Sequence, residues 1–100
     1  MIIFNDTVIL EEATHLRWLK WMKEFYIPEV MATGFFKSFE ILNIIDSPNE
    51  GVTYCVQYRA ANMADFNQFY LKHLHKFQEI HNREFENLFV IFNTLMQTVE

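Results

Sequence analysis

Among the side chains of this sequence that can move a proton or hold a ligand, His73 has the most telling position. On a helical projection of about 100° per residue it falls near the centre of an apolar arc, one turn from Phe69 and Phe77 and beside Tyr70. A buried imidazole must find partners. One reading makes His73 a ligand-contacting residue or general base with Tyr70 as its neighbour. The other makes it a core histidine, hydrogen-bonded to a backbone carbonyl or a tyrosine. His81 lies two turns on, at the edge of the same arc, and His15 falls on the apolar side of an earlier helical segment with Leu19, Met22 and Tyr26. These three could approach one cavity. A metal site needs three or four ligands at about 2 Å, and two helical turns separate His73 from His81 too widely for one ion. With no His-x3-His or Glu-x-x-His pair on one face, no metal is expected, and His75 points to the polar side. A single bond from His to haem iron is the one cofactor contact this pattern leaves open.

Glu29 directly follows Pro28, where it could cap a helical turn or face a ligand. Arg59 and Gln57 belong to a set of polar residues on one strand parity, with Asn5, Thr7, Thr53, Asn93 and Gln97. If that parity forms one face, it offers neutral hydrogen-bonding groups and one cation to a small polar or anionic ligand. A wet protein interface would use the same residues. Cys55 has no basic neighbour closer in sequence than Arg59 and reads as a small buried hydrophobe. Trp18 and Trp21, at helical spacing, read as core.

The elements that must position these groups follow from composition and periodicity. The chain has 100 residues, 51% of them hydrophobic, with 11 Phe and only 2 Gly and 2 Pro. That supports one domain with one well-supplied core and argues against disorder. A net charge of −5 without a basic block is unsuited to a phosphate backbone, so nucleic acid is not an expected partner. One cysteine rules out an internal disulfide. The N-terminal residues lack a charged region and a long apolar run, so a soluble, cytoplasmic protein without a membrane span is expected. Two glycines cannot furnish a Gly-rich phosphate loop or a nucleophile elbow.

Ile2 to Leu10 reads as a first strand, interrupted by Asn5, Asp6 and Thr7. Glu12 to Tyr26 reads as an amphipathic helix that Pro28 kinks or divides, with one more turn over Glu29 to Thr33 and Gly34 as C-cap. Phe35 to Asp46 and Val52 to Ala60 form a hairpin about Ser47-Pro48-Asn49-Glu50-Gly51. Asn62 and Asp65 have capping-box spacing before a second helix ending near Asn82, and Leu88 to Val99 is a last strand. The order βαββαβ is an α+β, ferredoxin-like arrangement. Right-handed crossovers place strands one and three in the middle of a four-stranded antiparallel sheet with both helices on one face. Strands two and four are apolar on both parities, unlike strands of a sheet with one wet face. The open face therefore needs a cover, and a second copy related by a two-fold axis supplies it, giving a homodimer packed sheet to sheet; a hetero-partner is the alternative.

The runs Trp18-Leu19-Lys20-Trp21-Met22, Ile27-Pro28-Glu29-Val30-Met31-Ala32-Thr33-Gly34 and Thr53-Tyr54-Cys55-Val56-Gln57-Tyr58 resemble a family of short proteins, found mainly in Bacteroidetes, classed as a domain of unknown function. The likeness spans essentially the full length, and Ile27 to Gly34 carries most of it. Members often have His before the Ile-Pro pair, where this chain has Tyr26. The architecture is also similar to the dimeric α/β-barrel superfamily, which includes small monooxygenases, haem-degrading enzymes and isomerases. That resemblance implies a substrate cavity between helix and sheet, near His73 and Tyr70, assisted by Arg59 or Glu29. Two functions stand at this stage. One is a homodimeric, non-catalytic small-molecule-binding or interaction module; the other is a small oxygenase or isomerase.

Overall fold

The computed structural model describes all 100 residues. Strand β1 (Ile2–Leu10) is followed by a helical run over residues 15–32, the hairpin of β2 (Ser38–Asn43) and β3 (Val52–Ala60), a second helical run over 63–84, and β4 (Phe89–Gln97). The sheet order is β2-β3-β1-β4 with every neighbour antiparallel, the ferredoxin-like α+β arrangement. Nine-residue β1 and β3 occupy the centre and pair along their whole length, from Ile2 opposite Ala60 to Leu10 opposite Val52.

Cross-strand partners share a face, so the pairing sorts the side chains. Phe4, Val8, Tyr54, Val56 and Tyr58 face the helices and are buried. Phe4 meets Phe66 of the second helix, and Tyr54 stacks on Trp18 of the first at 5.4 Å, which puts both helices on one side. Eighteen buried residues form that core, led by Trp18, Tyr58, Phe69 and Phe85. The other face carries Ile3, Asn5, Thr7 and Ile9, then Cys55, Gln57 and Arg59 of β3, with Phe92, Val90 and Met96 of β4 and Leu42 of β2. Phe92 is 56% exposed and Val90 52%. No helix is long and apolar enough to cross a membrane.

The first helical run is in two α parts, residues 15–21 and 27–32, with Pro28 in the first turn of the second, as its sequence position predicts; two other expectations need correcting. Met22–Tyr26 is a π-helical turn between the two parts, and that wider turn makes room for a ring that would otherwise meet the carbonyl four residues back. A second π turn, Tyr70–Leu74, interrupts the other helix. Strand β2 is only Ser38–Asn43: Phe36 leaves the strand direction to enter the core, and Ile45, 94% exposed, belongs to the turn. Finally, Asn93 and Gln97 do not share the face of Asn5 and Thr7. The register sets Asn93 opposite Asp6 and Gln97 opposite Ile2, both on the helix side.

Asn62 caps the second helix as its spacing with Asp65 predicts, accepting from the Asp65 N–H at 2.9 Å. Gly34 and Gly51 have φ of +83° and +86°, the left-handed region that favours glycine. Their surroundings differ. A Cβ on Gly34 meets nothing within 4 Å, whereas one on Gly51 drives into the Leu10 carbonyl oxygen. Gly34→Ala should cost about 1 kcal/mol of backbone strain, and Gly51→Ala about 2 to 4, because the rigid end of β1 must also move. Urea denaturation of the two variants side by side checks this; equal losses would contradict it.

Candidate functional site

Asp6 sits mid-way along a central strand, on the parity it shares with Phe4, Val8 and Leu10. That parity is the buried one, so a carboxyl enters the apolar layer between sheet and helices, with only 7% of the residue exposed. Its cross-strand neighbour Asn93 donates from Nδ2 to Asp6 Oδ1. Above Asp6 the first helix supplies Met22 and Tyr26, the two ends of its π turn, and the second supplies Leu74, Gln78, His81 and Asn82. Val8, Phe89 and Ile91 complete a cavity of about 270 Å³. Its volume lies just below the roughly 300 to 1,000 Å³ of drug-sized ligand sites.

The electrostatics follow from a missing counter-charge. Asp6, Tyr26 and His81 are the titratable groups on the cavity wall, and no Lys or Arg joins them. Burial lifts the Asp6 carboxyl from its ordinary 3.8 to about 7, outweighing the lowering effect of the Asn93 hydrogen bond. Tyr26 is pushed above its ordinary value, first by burial and then by the charge of Asp6. His81 is 4% exposed and burial lowers it from 6.5 to about 4, so its ring is neutral at physiological pH. Trp18 Nε1 donates to His81 Nε2 at 2.8 Å, and the rings of Phe89, Tyr26, Phe85 and Trp21 enclose the imidazole at centroid distances of 4.3 to 6.0 Å. The wall thus holds a carboxyl poised to gain or lose a proton near neutral pH, beside a phenol and an imidazole that stay uncharged. Such a set can exchange protons with a neutral ligand.

Of the residues singled out from the sequence, His81 lines this cavity. His73 is half-buried between Phe35, at 5.8 Å, and Phe69, at 6.0 Å, away from it. Tyr70 is 56% exposed and borders a shallower depression with Phe66 and Leu95. Arg59 and Gln57 lie on the opposite face of the sheet, Arg59 3.9 Å from Glu40, and Glu29 is exposed on the first helix. His15 is bonded to the Tyr54 hydroxyl at 2.9 Å, and His75 is solvated beside Glu79. No three His, Cys, Asp or Glu side chains converge to hold an ion. The one imidazole on the cavity wall has Nε2 engaged by Trp18, so a histidine–iron bond through that nitrogen would have to break this hydrogen bond. Asp6, Tyr26, Gln78 and Asn82 were not anticipated, and Asn93 was expected among ligand-facing polar groups but on the opposite face of the sheet. One signal for Asp6 was available, a charge on the parity of Phe4, Val8 and Leu10.

Comparison with solved structures places the chain among ferredoxin-like α+β proteins. A dimeric ferredoxin-like protein from an uncultured marine organism superposes with a TM-score of 0.69 at 10% identity, covering 99% of this chain and 94% of that one. HapK from Hahella chejuensis gives 0.72 at 11% identity, covering 99% and 93%. An ethyl tert-butyl ether D (EthD) family protein from Bacillus halodurans gives 0.67 at 11% identity, covering 99% and 100%. Residues 1–99 match the family described as Domain of unknown function (DUF4286), and the chain belongs to that family. No curated protein is significantly similar to it.

Proposed function

We propose that this protein is a homodimer that binds a small neutral molecule in the cavity between the helices and strands β1 and β4, and moves a proton on it through Asp6. The observation that carries the reading is convergence. Asp6, Tyr26, His81 and Asn93 come from four different elements to one cavity, and no cation neutralises the carboxyl. A purely structural aspartate would be paired or left in solvent. The absence of Lys and Arg also disfavours carboxylate and phosphate ligands. Proton movement on a bound molecule is the isomerase side of the sequence-based alternatives; passive binding remains the reading if no ligand is turned over. The dimer rests on the exposed apolar residues of the open face, and the dimeric ferredoxin-like neighbour has the same fold.

Thermal shift against a panel of small neutral cyclic ketones and phenols tests the ligand site. A compound at ten times its Kd should stabilise the fold by about 1.4 kcal/mol, which raises Tm by roughly 5 to 10 °C. Ile91→Trp should fill the cavity from its half-open wall and erase those shifts while the protein stays folded. Shifts that survive in Ile91→Trp would move the ligand elsewhere.

A further inference from the structure

The indole N–H of Trp18 can only donate, so its bond fixes His81 Nε2 as the acceptor and leaves the proton of the neutral ring on Nδ1. No protein group accepts from that Nδ1–H. The side-chain polar atoms sealed from solvent without a partner are Asn5 Oδ1 and Tyr58 Oη alone. His81 Nδ1, Asp6 Oδ2 and the Tyr26 hydroxyl, unbonded yet not sealed, therefore keep some access to solvent, and all three residues line the cavity. The cavity wall offers one free carboxyl oxygen and two neutral donors. Met22, Val8, Leu74 and Phe89 make the remainder apolar.

We infer that the substrate is a small, neutral, enolisable carbonyl compound whose oxygen accepts from His81 Nδ1–H, and that Trp18 is the positioning residue holding His81 in that donor tautomer. The inference rests on the proton-transfer reading above and names its substrate class. Ionised Asp6 takes a proton from the carbon next to the carbonyl. The C–H electron pair becomes the C=C bond, and the carbonyl π pair moves onto oxygen, where the developing charge meets His81 Nδ1–H and the Tyr26 hydroxyl. Protonated Asp6 then returns the proton, to the same carbon or to the far end of a conjugated system. The net change is an isomerisation, so no oxidant or reductant is consumed. A neutral imidazole serves here because a charged one would pair with Asp6 and quench the base.

Two measurements on the intact protein test this. First, long-range nitrogen–proton NMR of ¹⁵N-histidine-labelled protein should show His81 as the neutral Nδ1–H tautomer from pH 5.5 to 8, and a mixture of tautomers in Trp18→Phe. Second, 2-indanone in deuterated buffer should bind by thermal shift, and its α-protons should exchange faster with protein than without. Asp6→Asn should abolish that acceleration. Trp18→Phe should lower it by at least about tenfold while binding persists, as a mis-set tautomer does elsewhere. His81 found as Nε2–H, or charged at pH 6, overturns the inference whatever the exchange rate. Exchange that depends on Asp6 and is unchanged in Trp18→Phe overturns the inference and leaves the proton-transfer reading standing. Bound 2-indanone that does not exchange overturns that reading itself, and 2-indanone that does not bind overturns the carbonyl class.

Discussion

Asp6→Asn should make the protein markedly more stable at pH 8 while removing the proposed proton transfer. Raising a carboxyl from 3.8 to about 7 means that folding favours its protonated form. Its contribution is fully present below pH 3.8 and is lost as pH rises to about 7. The loss amounts to about 4 kcal/mol at most, since each pK unit is worth about 1.4 kcal/mol. Asparagine keeps the shape and the hydrogen bond from Asn93, and it carries no charge to desolvate. A gain of about 2 to 4 kcal/mol, or roughly 10 to 20 °C in Tm, is expected at pH 8, with little change at pH 4.5. His81 acts with the opposite sign. Its folded-state value of about 4 lies below the ordinary 6.5, so its contribution is present above pH 6.5 and is lost as pH falls towards 4. Between these limits the two nearly cancel, and the wild type should be almost flat from pH 4 to 6.5. Asp6→Asn unmasks the histidine, giving stability that falls with acid. Urea titrations at pH 4.5, 6.5 and 8 decide the matter; parallel curves for the two proteins would sink the argument.

Phe92→Lys should convert the proposed homodimer to a monomer. Phe92 stands in a cross-strand row with Thr7, Cys55 and Leu42 on the open face, and more than half of it is exposed in the isolated chain. A two-fold axis repeats any change, so two ammonium groups would enter one apolar contact, at a cost of several kcal/mol each. Light scattering after size exclusion should move from twice the 12.1 kDa chain mass to that mass. Leu71→Lys, on the outer surface of the second helix and 77% exposed, should leave the dimer intact and controls for charge alone. A wild type already monomeric at micromolar concentration removes the dimer altogether.

Much of the fold was legible because its signals are local. The bounds of β1 and β3, the Asn62 cap, the Gly34 terminus and the central place of strands one and three need only periodicity, turn chemistry and crossover handedness. The site was less legible, for two reasons. A projection at 100° per residue assumes an unbroken α-helix, and the π turn Tyr70–Leu74 sets back the phase of everything after it. That moves His73 off the centre of the buried face and brings His81 from its edge to full burial. The other reason is register. Nothing local to β4 tells whether Asn93 faces the helices, because that depends on which residue of β1 it meets, and it meets Asp6.

The paired π turns have an evolutionary consequence. Each amounts to one residue accommodated within a helix, and the two lie where Met22, Tyr26 and Leu74 reach the cavity. Losing one residue from either segment would return it to ordinary α geometry at little backbone cost and leave the side chains after it on the faces they now occupy. Only the residues of the turn itself would be re-aimed, Met22 and Tyr26 in one helix or Leu74 in the other. A single-codon deletion can therefore reshape the cavity wall while the fold and the placement of His81 survive, and a single-codon insertion into a plain two-helix ancestor is enough to create either turn.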